Sequence, residues 1–263
     1  MSQVIEDTNV GLQEFVSVSG AALSARELKE EYLSGVPLVT KDGEPITDTV
    51  LNSHIRKSIS WLERQVEISI HPRVIEDERH DYYIDDYRNF AYINLNHFPV
   101  IKVTRWLAAY PGNNMIYDFI LEWVHVHGRS GQIQLVPTQG TLSQVIMTAG
   151  GNFLPLLYAA THIPDFFHID YVCGFKKGEV PDDVMDAVAK RAAIQILRLV
   201  GEQIGGLGIA NMSVSIDGLS QSTGTTKEGG NVFGGRIRDY KEELDQEVKA
   251  LRNYYKGLKM VVV

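Results

Sequence analysis

His125 and His127 are two residues apart in the run LEWVHVH, and on a strand, where side chains alternate between faces, both imidazoles leave the same side. With His168 or Asp170 as further ligands they could hold a metal ion and support hydrolysis. No HExxH pattern or other metal motif of recognised spacing follows them, and imidazoles on the wet face of a strand are common. Ser130 sits in Gly128-Arg129-Ser130-Gly131, a turn sequence and not the GxSxG elbow that exposes a nucleophile. Cys173, in HIDYVCGF, reads as a small apolar strand residue with nothing nearby to lower its pKa. Gly205-Gly206-Leu207-Gly208 and the glycines from Gly218 to Gly235 lack the Gly-Lys-Ser/Thr of a P-loop and the GxGxxG of a dinucleotide site.

Carboxylates are adjacent at Glu76-Asp77-Glu78, Asp85-Asp86 and Asp182-Asp183, but an acid and base working together need two different environments, which adjacency does not provide. Tyr82, Tyr83, Tyr87, Phe90 and Tyr92 could form a stacking platform for carbohydrate; the same residues serve as core where half-buried strands alternate. No residue is therefore assigned to catalysis, and no metal or cofactor is expected. Two rival functions stay open: a metal-dependent hydrolase using His125 and His127, and a carbohydrate-binding tail module.

The chain has 263 residues, enough to bury a substantial core. Its 25 basic and 33 acidic residues give a net charge of −8, so the whole molecule repels nucleic acid, and no strong basic run offers a phosphate-binding surface. A single cysteine makes no internal disulfide, no apolar run reaches the roughly 20 residues that span a bilayer, and the first ten residues lack the order of a signal peptide. A cytoplasmic protein of the producing cell is expected, with no membrane partner.

Residues 1–23 read as a flexible arm. Ser24 and Glu27 have capping-box spacing, Gly35 closes that helix, and Thr47 or Asp48 caps a second one that puts Leu51, Ile55, Leu62 and Val66 on one face, with Trp61 nearby. From about residue 76 to 175 the texture changes to short aromatic and β-branched runs. Residues 119–127 and 132–136 flank a four-residue hairpin loop, and 166–175 reads as another strand. Residues 137–161 fit neither helix nor strand cleanly, since Gly150-Gly151 and Pro155 interrupt them.

Pro181 opens a helix with Asp183, Asp186, Lys190 and Arg198 on one side and Val188, Ala192, Ile196, Leu199 and Val200 opposite; Gly201 marks its expected stop. Met212, Val214 and Ile216 alternate as a strand, Asp217-Gly218 turns the chain, and residues 218–235 are expected to be a mobile loop. A last helix from Arg236 carries Ile237, Tyr240, Leu244, Val248 and Leu251 as a narrow apolar stripe that needs another surface to cover it, which makes these five the candidate subunit interface.

The run SVSIDGLSQSTGT, followed by GGRI, a charged helix and the ending YYKGLKMVVV, resembles the C-terminal part of head-tail connector (adaptor) proteins of tailed bacteriophages. The likeness extends to ISWLERQVEISIHPR and the Pro181 helix. It implies a noncatalytic virion protein, assembled in the host cytoplasm, forming a homo-oligomeric dodecameric ring under the portal that extends the DNA channel toward neck or tail proteins. The DNA would pass without sequence-specific binding. It also implies portal docking by the C-terminal residues Tyr254, Tyr255, Lys256, Leu258, Met260, Val261, Val262 and Val263. The expected fold is α+β: a helical connector domain from residues 24–75 and 176–263, with an antiparallel β-rich module, 76–175, inserted between. The smallest connectors lack such an insertion.

Overall fold

The computed structural model describes residues 23–88, 92–110, 114–136, 161–176, 178–205, 211–216, 219–224 and 231–256. The fold is α+β, with helices and antiparallel sheets. Its contacts cluster into two compact units, one containing Glu67–Glu179 and the other Ala21–Val66 with Val180–Tyr254.

In the helical unit, helix α1 (Ala25–Glu27) runs on as a π-helical turn, Leu28–Tyr32. Both bonds of the expected capping box form: the Glu27 N–H donates to Ser24 Oγ at 3.1 Å, and the Ser24 N–H to Glu27 Oε2 at 2.8 Å. Helix α2 (Asp48–Val66) starts where the Thr47 carbonyl accepts from the Val50 N–H at 3.0 Å. Its stripe of Leu51, Ile55, Leu62 and Val66 is buried at the predicted spacing. Glu67 ends the helix with φ 61°.

In the β unit, strands β1 (Arg73–Tyr83), β3 (Val100–Tyr110), β4 (Asn114–Asp118) and β7 (His162–Cys173) make an antiparallel sheet in the order β1-β7-β3-β4. A short helix, α3 (Ile84–Arg88), follows β1. A second sheet takes the order β2-β6-β5, from β2 (Ile93–Asn94), β5 (Val124–His127) and β6 (Gln132–Leu135). The hairpin across Gly128 to Gly131 is as expected, but its first strand is shorter. Leu121–Trp123 forms a 3-10 turn, which buries Trp123 and leaves only four residues paired. Tyr82, Trp106, Phe119, Phe166 and Phe167 are buried, and edge-to-face contacts join Trp106 to Phe119 and Phe167, both at 5.8 Å. Gly174, at φ 108°, lies so close to His71 that a Cβ would stand 2.4 Å from that carbonyl oxygen.

The helical unit resumes with α4 (Asp182–Gly205), continues with the paired strands β8 (Asn211–Ile216) and β9 (Leu219–Gly224), and ends with α5 (Gly234–Lys256). Two expectations are corrected here. Helix α4 does not stop at Gly201, because that glycine is a packing position. Asn231 lies against it, and a Cβ on Gly201 would be 2.0 Å from Asn231 Oδ1. Nor is 218–235 a loop throughout. Leu219–Gly224 satisfies its backbone against β8, which needs no apolar side chains. Buried Asn231 meanwhile donates through Nδ2 to the Leu197 and Arg198 carbonyls at 3.3 and 3.2 Å and accepts the Phe233 N–H at 2.8 Å.

Of the expected arm, residues 1–22 lie outside the described residues, as do residues 137–160 and the Asp217-Gly218 turn; Leu23, its last residue, is buried.

Gly201→Ala is expected to cost about 1–3 kcal/mol, the usual penalty for overpacking, read as a lower denaturant midpoint. In an Asn231→Ala background the same change costs less, because the two residues occupy one space.

Candidate functional site

The residues that sequence put forward for chemistry are dispersed. His125 and His127 are exposed on β5 with ring centroids 4.6 Å apart, so they do share a face. Their expected third ligands are engaged elsewhere: His168 Nδ1 is bonded to Asp77, and Asp170 accepts the Asp77 N–H at 2.7 Å. Among the described residues no group of three or more His, Cys, Asp or Glu is arranged to hold a metal ion. Cys173 is fully buried beside Ser69 Oγ, 3.6 Å away, and burial pushes its thiol up. Ser130 Oγ donates to the His127 carbonyl at 3.3 Å within the turn. The Asp183 carboxylate accepts the Val184 N–H at 2.8 Å in the first turn of α4. Tyr82 is core, whereas Tyr83 is 47% exposed and stacks on His162 at 4.7 Å.

Sequence reading missed a ladder of three carboxylate–histidine pairs along β1 and β7. Asp77, at φ 55° in a bulge of β1, meets His168 and also Arg79 Nη2 at 2.9 Å. Glu78 accepts from Tyr171 Oη at 2.5 Å and from the Asn96 N–H at 2.9 Å, and lies 2.8 Å from His80 Nε2. Asp81 meets His162 Nε2 at 3.1 Å and the Asp165 N–H at 3.0 Å. The spacing Glu78-x-His80 carried a period-two signal; the cross-strand pairs depend on a register no local pattern prints. Burial pushes Glu78 up, but bonds from His80, Tyr171 and the Asn96 N–H outweigh it and hold the carboxyl below the usual range. The His168 bond lowers Asp77, and the Asp165 N–H followed by His162 lowers Asp81. Burial, then Glu78, drive the Tyr171 hydroxyl far up.

The helical unit holds a different polar centre. Lys190 is 8% exposed, and its Nζ contacts Asp186 at 2.9 Å, Glu243 at 2.9 Å and Glu247. Tyr32 donates to Asp186 at 2.7 Å, while Tyr240 donates to the Tyr32 carbonyl at 3.0 Å. Burial works against the ammonium, yet bonds to Glu247, Glu243 and Asp186 raise its pKa above the usual lysine range. Burial pushes Glu247 up.

The expected open stripe on α5 is corrected by this packing. Ile237, Leu244 and Leu251 are 3%, 2% and 2% exposed, and Tyr240 and Val248 are half-buried, so the chain itself covers most of the stripe. Of the C-terminal docking candidates, Tyr254 is 54% exposed, whereas Tyr255 is buried with its ring 6.1 Å from Phe175. The Lys256 side chain, Leu258, Met260, Val261, Val262 and Val263 lie outside the described residues.

The chain matches no family model and no curated protein. Among solved structures it is similar to a chain in the virion of a native gene transfer agent particle, with 15% identity, a TM-score of 0.43, and 94% of this chain and 95% of that one covered. A chain in the neck of the empty particle, computed with C6 symmetry, gives 16%, 0.39, and coverage of 85% and 91%. One in the neck of the native particle, computed with C12 symmetry, gives 15%, 0.33, and coverage of 73% and 82%. At scores this low the likeness does not define a shared fold.

Two outcomes are expected. For Asp77, Glu78 and Asp81 the folded pKa lies below the unfolded values of 3.8, 4.5 and 3.8, so their stabilisation is present above those values and is lost as pH falls through the folded ones. Thermal midpoints should drop in that acid window, with a shallower slope in Glu78→Gln. Lys190→Met should cost about 3 kcal/mol at neutral pH in denaturant unfolding, the low end for a broken buried pair because Glu243 reaches water. Part of that loss should return as the stranded carboxylates protonate.

Proposed function

We propose that the chain is a noncatalytic structural protein of a tailed-phage virion, forming a ring under the portal that extends the DNA channel and joins the head to the neck or tail. The carrying observation is the C-terminal series of α4, the β8–β9 ribbon and α5, whose residues include the connector-like run SVSIDGLSQSTGT and the GGRI that opens the last helix. The polar groups favour support over turnover: within the cluster on β1 and β7, and within the one around Lys190, side chains bond to their neighbours, as groups do when they hold a fold together. A net charge of −8 suits a wall past which DNA moves without sequence-specific binding.

In this role the helical unit makes the ring, and residues 254–263 reach the portal with Tyr254 at the start of the contact. The described residues contain no helix long and apolar enough to cross a membrane.

Electron micrographs of the purified chain mixed with portal rings are expected to show a second ring seated on the portal. A chain lacking residues 257–263 should keep its circular dichroism spectrum and lose that seat. A full-length chain that stays solitary beside intact portals overturns the role.

A further inference from the structure

The helical unit carries two surfaces of opposite charge. Trp61, half-buried on α2, lies under the Arg191 guanidinium, 4.6 Å from its ring centroid. Lys57, a turn before Trp61, and Arg64, nearly a turn after it, are exposed on that side of α2. Arg198 is two turns beyond Arg191 on α4, exposed, and close enough that, after burial, its charge lowers the Arg191 pKa. Among the described residues no ion pair answers Lys57, Arg64, Arg191 or Arg198. In a chain of net charge −8, four cations along the sides of α2 and α4 that meet where Arg191 covers Trp61 are a concentrated exception.

The opposite charge lies on α5, where Asp239, Glu242 and Glu243 are exposed. Glu243 is shared with Lys190, and Asp239 approaches the Arg238 guanidinium no nearer than 3.7 Å; among the described residues no ion pair engages Glu242. These two surfaces face different ways. Lys190 turns toward α5, and Arg191, the next residue, is rotated about 100° from it around the helix.

We infer that the cationic face around Trp61 is a docking surface for a second copy of this chain, which presents the acidic edge of α5 to it. A contact between two different faces of the same chain is heterologous, and repeated with a closing rotation it makes a ring. The inference rests on the proposed ring and names the surfaces that would join its subunits. Buried Ile237, Leu244 and Leu251 cannot supply that contact, whereas charges at the surface can steer and register it.

Sedimentation of the full chain, alone and with portal rings, tests this across protein and salt concentration. Assembly is expected to weaken as salt rises, and to weaken by at least about tenfold in Lys57→Glu/Arg64→Glu. Adding Asp239→Lys/Glu242→Lys to that variant should restore it, because each face then meets its new complement. All four positions are exposed, and unchanged melting curves verify the fold. A wild-type chain that assembles in neither setting overturns the ring and this contact together. Assembly that ignores the reversals, or is not recovered by the fourfold swap, overturns the contact alone. Loss of duplex DNA retention by Lys57→Glu/Arg64→Glu, with assembly intact, gives the face to phosphates and likewise overturns it.

Discussion

A lysine ammonium taken out of water must be answered by carboxylates held in place, and that requirement at Lys190 fixes how the helical unit is put together. Asp186 answers it from one turn earlier on α4, and Glu243 and Glu247 from successive turns of α5. Three acids around one base leave a negative excess, and Tyr32 stabilises part of it by donating to Asp186. The π-helical turn that carries Tyr32 is thereby tied to α4, and through the Tyr240 hydroxyl to α5. Apolar burial supplies most of the energy along these helices, but it is indifferent to a slip of one turn; the ion cluster is not.

Asn231 does for the start of α5 what Lys190 does for its middle. Its side chain occupies the space that Gly201 leaves open and bonds carbonyls of α4, while it also orders the first turn of the next helix. In the β unit the corresponding constraint is polar again. A bulge at Asp77 turns that carboxylate toward His168, and the next residue, Glu78, joins Tyr171 and the Asn96 N–H. Each unit therefore has an apolar core for stability and a polar cluster for register.

For assembly, this division matters because it determines which surface is left over. A helix with a narrow apolar stripe and no covering layer would present that stripe to its neighbours. Once Ile237, Leu244 and Leu251 are covered by the chain itself, the surface that remains on α5 is charged, and in the proposed ring the contacts between copies would depend on charge pattern and ionic strength. Electrostatic contacts of this kind are weak singly and gain from repetition round a closed ring.

Local physics was legible in the chain itself. The capping box at Ser24, the buried stripe of α2, the turn at Gly128 to Gly131 and the broad apolar arc of α4 all follow from spacing over a few residues, because helix and strand periodicities are local properties. Everything that joined distant residues was decided by tertiary structure. Gly201 carries the same residue type as a helix stop, and only the approach of Asn231 makes it a contact; Lys190 looks like a solvated charge until α5 brings Glu243 and Glu247 to it. The reason is that burial and electrostatic partnership depend on which segments meet across dozens of residues, and a one-dimensional pattern states which face is apolar without stating what will cover it.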